Sequence, residues 1–149
     1  MAENNSDNLV IKRATRFSQA ALKDLNKLLL QLSSVGYQMK PKNLKMTVKD
    51  KNNYLIAIYD GKTIIGTATL ITMCDIRGYK GYVSCLVVDE KYRTHKLGKK
   101  LMLYIINLAK KLKMGSLELK SEKYRIVANI LYKKLGFVLQ DANLYKMNL

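Results

Sequence analysis

A chain of 149 residues is long enough to bury one hydrophobic core and too short for two ordinary domains, which excludes a multi-domain assembly. Hydrophobic residues make up 48% of it and charged residues 26%, which excludes a disordered or fibrous chain. Lys and Arg number 27 against 11 Asp and Glu, so the net charge is +16 at pH 7. Such a charge attracts anions in general, and nucleic acid, anionic membranes, acidic partners and phosphorylated small molecules all stay open.

No apolar run approaches the roughly 18 residues of a membrane span, and segment 1–7 is polar, so we expect a soluble cytoplasmic protein without a membrane partner. Two cysteines, Cys74 and Cys85, and one histidine, His95, cannot form a multi-cysteine zinc site or a disulfide framework, so we expect no metal. With one proline and no linker or repeat, residues 1–149 are predicted to form a single domain.

Hydrophobic periodicity predicts the secondary structure in chain order. The first half is predicted to begin with a strand at 8–13, a helix from Ser18 to near Gly36, and a loop or short helix at 41–49. A hairpin of strands 54–59 and 64–73 is predicted around Asp60 and Gly61. A break at 78–81 is then expected before a buried strand at 82–88. The second half is predicted to contain a helix from Leu97 that ends at Gly115, a strand at 117–120, a helix at 125–135 closed by Gly136, and strands at 137–140 and 144–147. The pattern predicts a mixed α/β fold built on one sheet.

The segment 87–100 joins the buried strand to a helix through a short basic turn. Free backbone N–H groups and the positive end of a helix dipole together bind anions, so a phosphate or pyrophosphate would fit there. In a chain this cationic, however, any loop of this kind can be basic without binding a ligand. The basic residues of the segment are Arg93, Lys96, Lys99 and Lys100.

The last predicted helix carries Arg125, Asn129 and Tyr132 at spacings of four and three, which place them on one stripe. A polar stripe that holds a phenol can be catalytic. Helical periodicity also produces solvated polar faces routinely, and without other information that interpretation is favoured.

The run Arg-Thr-His-Lys-Leu-Gly at 93–98, followed one helix and one strand later by Arg-Ile-Val-Ala-Asn-Ile-Leu-Tyr-Lys-Lys-Leu-Gly-Phe at 125–137, resembles the GCN5-related N-acetyltransferase (GNAT) family. The resemblance implies a fold of order β-α-(α)-β-β-β-α-β-α-β-β, around one mostly antiparallel sheet with a central splayed strand. It also implies acetyl-coenzyme A as the acetyl donor and an amine as the acceptor, with a homodimer plausible.

By the same resemblance, the turn holds the coenzyme pyrophosphate, the splayed strand pairs with the pantetheine arm, and Tyr132 is the general acid. A protonated phenol with a pKa near 10 is a sensible proton donor to a departing thiolate, whose thiol has a pKa of about 8.5. The residues implied to bind the coenzyme are Leu86, Val87, Val88, Arg93, Thr94, His95, Lys96, Leu97, Gly98, Lys99, Asn129 and Tyr132.

Two positions depart from the family pattern. Lys96 stands where the motif has a glycine, which would cost roughly 1–2 kcal/mol if that position needs a positive φ. Ser84 and Cys85 occupy a strand that often carries an acidic residue in related enzymes, and neither is a good base. Glu118 could deprotonate the amine through water, although a salt-bridged surface Glu is the commoner fate. Candidate acceptor-site residues are Tyr37, Ser84 and Tyr145.

The leading interpretation is an acetyl-coenzyme A dependent N-acetyltransferase that acts on a small-molecule amine, such as a phosphosugar or metabolite, or on a protein. One alternative is a coenzyme-binding domain with weak catalysis. The other is a basic nucleic-acid-binding module, which ranks lower because the lysines are spread through the chain and stacking aromatics are few.

Overall fold

The computed structural model of the chain describes residues 8–33 and 35–149, so the N-terminal segment 1–7 lies outside the described residues. The helices and strands follow the predicted order as far as the last helix. Strands are β1 (Leu9–Arg13), β2 (Asn53–Asp60), β3 (Thr63–Asp75), β4 (Gly78–Val88) and β5 (Ser116–Leu119). Helices are α1 (Gln19–Leu32), α2 (Pro41–Lys49), α3 (Leu97–Lys111) and α4 (Ile126–Lys134), with a 3₁₀ helix over Glu90–His95.

The five strands form one sheet in the order β1-β2-β3-β4-β5. The pairs β1–β2, β2–β3 and β3–β4 are antiparallel, and β4–β5 is parallel. A parallel neighbour requires a crossover, which α3 supplies by running from the end of β4 to the start of β5. The predicted mixed α/β fold on one mostly antiparallel sheet is therefore confirmed.

Both faces of the sheet are covered, and the alternation of β2 shows how. Ile56 and Ile58 point to a core shared with α3 and Tyr132 of α4, whereas Leu55 and Ala57 point to a core shared with α1 and α2. All four of these β2 residues are buried. The sheet is thus held rigidly between two helical layers, which fixes the positions of the strand ends that form the site.

Several local signals in the sequence act as predicted. The Ser18 hydroxyl accepts a hydrogen bond from the Ala21 N–H at 3.0 Å and caps α1. Gly61 adopts a φ of 58° in the β2–β3 turn, and Gly136 adopts a φ of 92° after α4.

Within the described residues, no helix is long and apolar enough to cross a membrane.

The expected break at 78–81 is wrong, because β4 begins at Gly78 and passes straight through Gly81. Gly81 is instead a close-packing position. A Cβ added there would lie 2.7 Å from side-chain atoms of Leu70 and Leu117 and 2.8 Å from the sulfur of Met114. Glycine inside a strand often marks such a close approach rather than a turn.

The predicted end of α3 at Gly115 also needs correction. The helix ends at Lys111, and the left-handed residue that follows is Lys113, with a φ of 56°. The Lys113 N–H donates to the Lys110 carbonyl at 3.0 Å, which closes the last turn. A lysine therefore takes the position at which the sequence suggested a glycine.

The two strands predicted at 137–140 and 144–147 do not form. Residues 137–149, all of which the structure describes, have no regular secondary structure, and from Val138 onward every one is exposed. A strand exists only where a neighbouring edge satisfies its N–H and C=O groups. The tail (residues 138–149) is not paired with β5 of its own chain, so its strand-like pattern finds no partner there.

Candidate functional site

A gap opens where β4 and β5 diverge. The two strands pair from Lys80 opposite Ser116 to Val83 opposite Leu119, and β5 ends there. β4 continues to Val88 while paired on its other side with β3. Its last five residues therefore present one backbone edge to the gap, and β4 is the splayed central strand that the family resemblance implied.

A β-bulge distorts β4 at this gap. Thr69 of β3 faces Ser84 and Thr67 faces Val87, so one β3 residue between them opposes both Cys85 and Leu86. Cys85 adopts a φ of 55°, in the left-handed region that a non-glycine residue rarely occupies. Bulges of this kind bend a strand and turn its backbone groups in a new direction. This bulge lies just beyond the end of the β4–β5 pairing, at the edge of the gap.

The gap is a cavity of about 340 Å³. Tyr132 lines it from α4 and is only 7% exposed. Burial raises the pKa of the Tyr132 phenol, while the charge of Arg125 opposes part of that rise. The phenol is therefore protonated across the neutral range. The lining residues are Leu32, Ser33, Val35, Val83, Cys85, Leu86, Leu119, Lys120, Glu122, Tyr124, Arg125 and Tyr132.

Arg125 closes one side of the cavity by bridging from α4 to the splayed strand. Its Nη2 donates to the Leu86 carbonyl oxygen at 3.2 Å. Because β5 pairs with β4 only as far as Val83, it supplies no hydrogen-bond donor to this carbonyl. Arg125 thus places a positive charge next to the bulged backbone and the phenol of Tyr132.

The turn after β4 forms the second part of the site. The 3₁₀ helix leads to Lys96, whose φ of 55° and ψ of 25° reverse the chain into α3. Lys96, a non-glycine residue at the motif's glycine position, therefore does have a positive φ. Among the described side chains none caps the start of α3, so the N–H groups of its first turn are available to a ligand. Arg93 lies beside them and donates from Nε to the Val88 carbonyl at 3.2 Å.

Contacts from α1 hold this turn in place. Lys27 Nζ lies 2.7 Å from Asp89 Oδ2, and Asp89 Oδ1 accepts from the Lys91 N–H at 3.1 Å. Gln31 Oε1 accepts from the Glu90 N–H at 2.9 Å. Burial by itself raises the pKa of Asp89, but the hydrogen bonds from Lys27 and Lys91 and the charge of Lys27 outweigh it, so this pKa lies below its ordinary value.

Three other predicted site residues, Asn129, Ser84 and Glu118, make contacts with neighbouring protein groups. The Asn129 amide donates to the Glu122 carbonyl at 2.9 Å and so fastens the loop before α4. Ser84 lies at the start of the splay, with its Oγ 3.3 Å from Cys85 Sγ. Glu118 forms an ion pair with Lys80 at 3.0 Å, its side chain about half exposed.

The two predicted acceptor-site tyrosines lie elsewhere. Tyr37 lines a second cavity, of about 560 Å³, along α1, and its hydroxyl accepts a hydrogen bond from Asn43 at 3.0 Å. Tyr145 lies in the tail and is 86% exposed. Neither contributes to the cavity beside Tyr132 in this structure.

Sequence reasoning missed the residues that support the turn from a distance. Lys27 and Gln31 are separated from their partners by 62 and 59 positions, so no local pattern connects them. The spacing of four between them, on one face of α1, was the available signal. Cys85, which the sequence singled out only as a poor base, is exposed at the bulge. In residues 8–33 and 35–149, no group of three or more His, Cys, Asp or Glu side chains could hold a metal ion.

The fold and this site define a class: a mixed α/β protein whose sheet splays open next to a basic strand-to-helix turn. A model of the acetyltransferase (GNAT) family matches residues 22–137, so the chain belongs to the GNAT acetyltransferase family. Among proteins of curated function, no significant sequence relative is found.

Solved structures show the same fold. A protein from Bacillus halodurans described as a transcriptional regulator is 23% identical, with a TM-score of 0.79 over 95% of this chain and 99% of its own. An acetyltransferase from Trypanosoma brucei is 19% identical, with a TM-score of 0.75 over 95% and 99%. Glucosamine-6-phosphate N-acetyltransferase from Arabidopsis thaliana is 17% identical, with a TM-score of 0.73 over 93% and 97%. At these identities the likeness concerns the fold.

Proposed function

We propose that residues 1–149 form a single acetyl-coenzyme A dependent N-acetyltransferase domain, which transfers the acetyl group directly to a primary amine. The observation that carries this proposal is the cavity at the β4–β5 splay, with the buried phenol of Tyr132 in its wall. A basic turn with uncapped helix N–H groups lies at the end of the same strand. Donor binding and proton donation are thus supported by adjacent parts of one site.

The residues at the turn fit a coenzyme pyrophosphate. The first-turn N–H groups of α3 are hydrogen-bond donors, and the helix dipole adds partial positive charge there. Arg93, Lys96 and Lys99 add full charges, together with the backbone of 94–98. The β4 backbone at Leu86, Val87 and Val88, which extends beyond the end of β5, would bind the pantetheine arm, and Asn129 would hold the loop against it.

When bound, acetyl-coenzyme A supplies a thioester whose carbonyl carbon can be attacked by a neutral amine. The new N–C bond forms as the C–S bond breaks, and the departing sulfur takes the phenolic proton of Tyr132. Backbone N–H groups at the bulge of β4 would stabilise the negative charge that develops on the carbonyl oxygen. The proton lost by the amine returns through water to the phenolate, which restores the resting enzyme.

Water, rather than Glu118, is the proposed carrier of the amine proton. Glu118 is already paired with Lys80 and would have to break that ion pair to act as a base through water. Glu118→Gln should therefore change turnover less than twofold by this proposal. A loss of about tenfold or more would assign the base to Glu118.

An acceptor that bears an anionic group suits the charges of the cavity. Arg125 and Lys120 both line it, and the whole chain carries a net charge of +16. Lys120 is paired with Glu122 at 2.9 Å, whereas Arg125 donates to a neutral carbonyl, so Arg125 is the better partner for an anion. We propose that an amine with a nearby phosphate or carboxylate is preferred over its neutral analogue.

Two measurements test the donor and acceptor parts. Saturating acetyl-coenzyme A should raise the unfolding temperature, and no rise would contradict a donor site. Release of free thiol should then be followed with matched amines, such as glucosamine 6-phosphate and glucosamine, alongside amino acids and peptides. Coenzyme binding without thiol release from any amine would favour the weakly catalytic alternative.

The proposed acid is tested by Tyr132→Phe, with Tyr124→Phe as its control. Both phenols line the cavity, but Tyr124 is 71% exposed and Tyr132 is 7% exposed. Loss of the proton donor should lower kcat by roughly 10²-fold with little change in coenzyme affinity. Tyr124→Phe should retain near-normal kcat. Equal turnover of Tyr132→Phe and the unmodified protein would rule out the assignment.

A further inference from the structure

The wall of the cavity beside Tyr132 contains a primary amine of the protein itself. Of the lysines that the structure describes, Lys120 alone lines this cavity. A cavity of about 340 Å³ is about 9 Å across when taken as a sphere, and a lysine amine on its flexible four-carbon stem can reach much of such a space. Lys120 therefore places an amine next to the site at which the acetyl group would be held.

The segment that carries this amine is anchored to the helix that carries the phenol. Lys120 comes directly after the end of β5. The loop that follows is fastened to α4, because the Asn129 amide and the Arg125 N–H both donate to the Glu122 carbonyl, at 2.9 and 3.1 Å. Asn129 and Tyr132 are three positions apart and hence neighbours on the surface of α4. The amine and the phenol are thus held on connected parts of one wall.

The ion pair of Lys120 leaves its amine free to move. Lys120 Nζ lies 2.9 Å from Glu122 Oε1, and both side chains are 53% exposed. Exposed pairs of this kind are weak, so the amine exchanges easily between the pair and the cavity. The hydrogen bond to Glu122 and the charge of that carboxylate raise the pKa of Lys120, so only a small share of the amine is neutral near pH 7. Because only a neutral amine attacks a thioester, a reaction of Lys120 is slow.

We propose that the protein acetylates Lys120 of its own chain, an inference that rests on the proposed function. The Lys120 ammonium first loses one proton to water. The neutral nitrogen attacks the thioester carbonyl carbon, the N–C bond forms as the C–S bond breaks, and the departing sulfur takes the phenolic proton of Tyr132. A second proton from the nitrogen returns through water to the phenolate. The products are one acetylated lysine, one free coenzyme thiol and one proton released to solvent.

The modification changes the charge of the cavity wall. Lys120 and Arg125 give this wall two positive groups against the single carboxylate of Glu122. Acetylation removes the charge of Lys120 and its pairing with Glu122, so Arg125 and Glu122 then balance. An anionic amine loses part of its advantage over a neutral one, whereas an amine that fills the cavity protects Lys120. Self-acetylation therefore acts when the donor is present and the acceptor is scarce.

Mass spectrometry of the full chain and its peptides, after incubation with acetyl-coenzyme A and no added amine, tests the proposal. One acetyl group should appear on Lys120, and thiol release should stop at one equivalent per chain. Lys123 is the internal comparison, because it is exposed and lies outside the cavity lining. Lys120 should react at least about tenfold faster, since its reaction is intramolecular. Lys120→Arg should remove the modification, whereas Lys80→Arg, at a lysine paired with Glu118 outside the cavity, should retain it.

Two controls separate a reaction at the site from chemical acetylation of surface amines. S-acetyl-N-acetylcysteamine, an acetyl thioester without the nucleotide, should modify Lys120 no faster than Lys123. Tyr132→Phe should slow the modification of Lys120 by roughly 10²-fold. The rate per chain should also be independent of protein concentration, as a reaction within one chain requires.

Equal rates at Lys120 and Lys123 with acetyl-coenzyme A would overturn the proposal. So would a rate that is unchanged in Tyr132→Phe, or one that rises with protein concentration. An unmodified Lys120 in protein that turns over an added amine would overturn this proposal alone and leave the proposed function standing. Failure of acetyl-coenzyme A to raise the unfolding temperature would defeat both, so the two failures are distinguishable.

Discussion

Replacement of Lys96 by glycine should stabilise the free protein and weaken coenzyme binding at once. Lys96 has a φ of 55°, and a non-glycine residue there costs roughly 1–2 kcal/mol. Glycine would remove this strain, but the greater conformational freedom it gives the unfolded chain destabilises the fold by about 0.5–1 kcal/mol. The net gain of about 0.5–1 kcal/mol corresponds to a rise in Tm of about 1–4 °C for a chain of this length, measurable by calorimetry.

Lys113→Gly is the matched control. Lys113 has a φ of 56°, is exposed, and follows the opposite end of α3. Both substitutions relieve the same backbone strain and remove one positive charge, so both should raise Tm equally. Only Lys96→Gly should weaken acetyl-coenzyme A, by about two- to fivefold at low salt and less at high salt, because ions screen an exposed charge. Equal affinity in the two variants would refute the placement of the pyrophosphate at the turn.

Two further predictions concern stability. Gly81→Ala should lower the free energy of unfolding by about 1–3 kcal/mol in urea, because the added Cβ would lie 2.7–2.8 Å from three packed side-chain atoms. Gly115→Ala is the control and should be tolerated, because the nearest atom to its added Cβ would be 3.6 Å away. Asp89 has a lowered pKa in the fold, so it stabilises the protein above the unfolded pKa of about 4, and this contribution is lost as pH falls through the lower folded value. Asp89→Asn should therefore unfold more easily than the unmodified protein at pH 7, by a margin that narrows as the pH falls below about 4, and a gap that stays constant with pH would contradict the Lys27 pairing.

The elements that the sequence predicted well are those specified by local chemistry. Ser18 begins α1 because its hydroxyl can cap the first turn, and Asp60 with Gly61 turns the hairpin because glycine tolerates a positive φ. The turn between β4 and α3 was visible for the same reason, since its basic residues and the helix start are neighbours in the chain. Tyr132 was found through helical spacing together with the family motif.

The elements that the sequence predicted poorly depend on partners far away in the chain. The strand-like pattern of the tail expresses a preference, but a strand forms only where an open edge is within reach. The break expected at 78–81 failed because the demand on Gly81 comes from Leu117 and Met114, which pack on it from β5 and the preceding turn. The contacts of Lys27 and Gln31 in α1 with the turn after β4 also join residues far apart in the chain, so no local pattern predicts them.

Backbone strain occurs at the bulge of β4 and at the start of α3. Among the described non-glycine residues, positive φ occurs at Cys85, Lys96 and Lys113. Lys113 follows a helix end, where the left-handed conformation is common, but Cys85 lines the cavity and Lys96 begins α3 after the basic turn. Such conformations persist only where surrounding contacts determine them. Here the β3 ladder holds the bulge, while Lys27 and Gln31 hold the turn. Under the proposed function, these contacts would orient the backbone donors before the coenzyme binds. Orientation in advance lowers the entropy lost on binding, which would explain strain at positions where glycine would remove it.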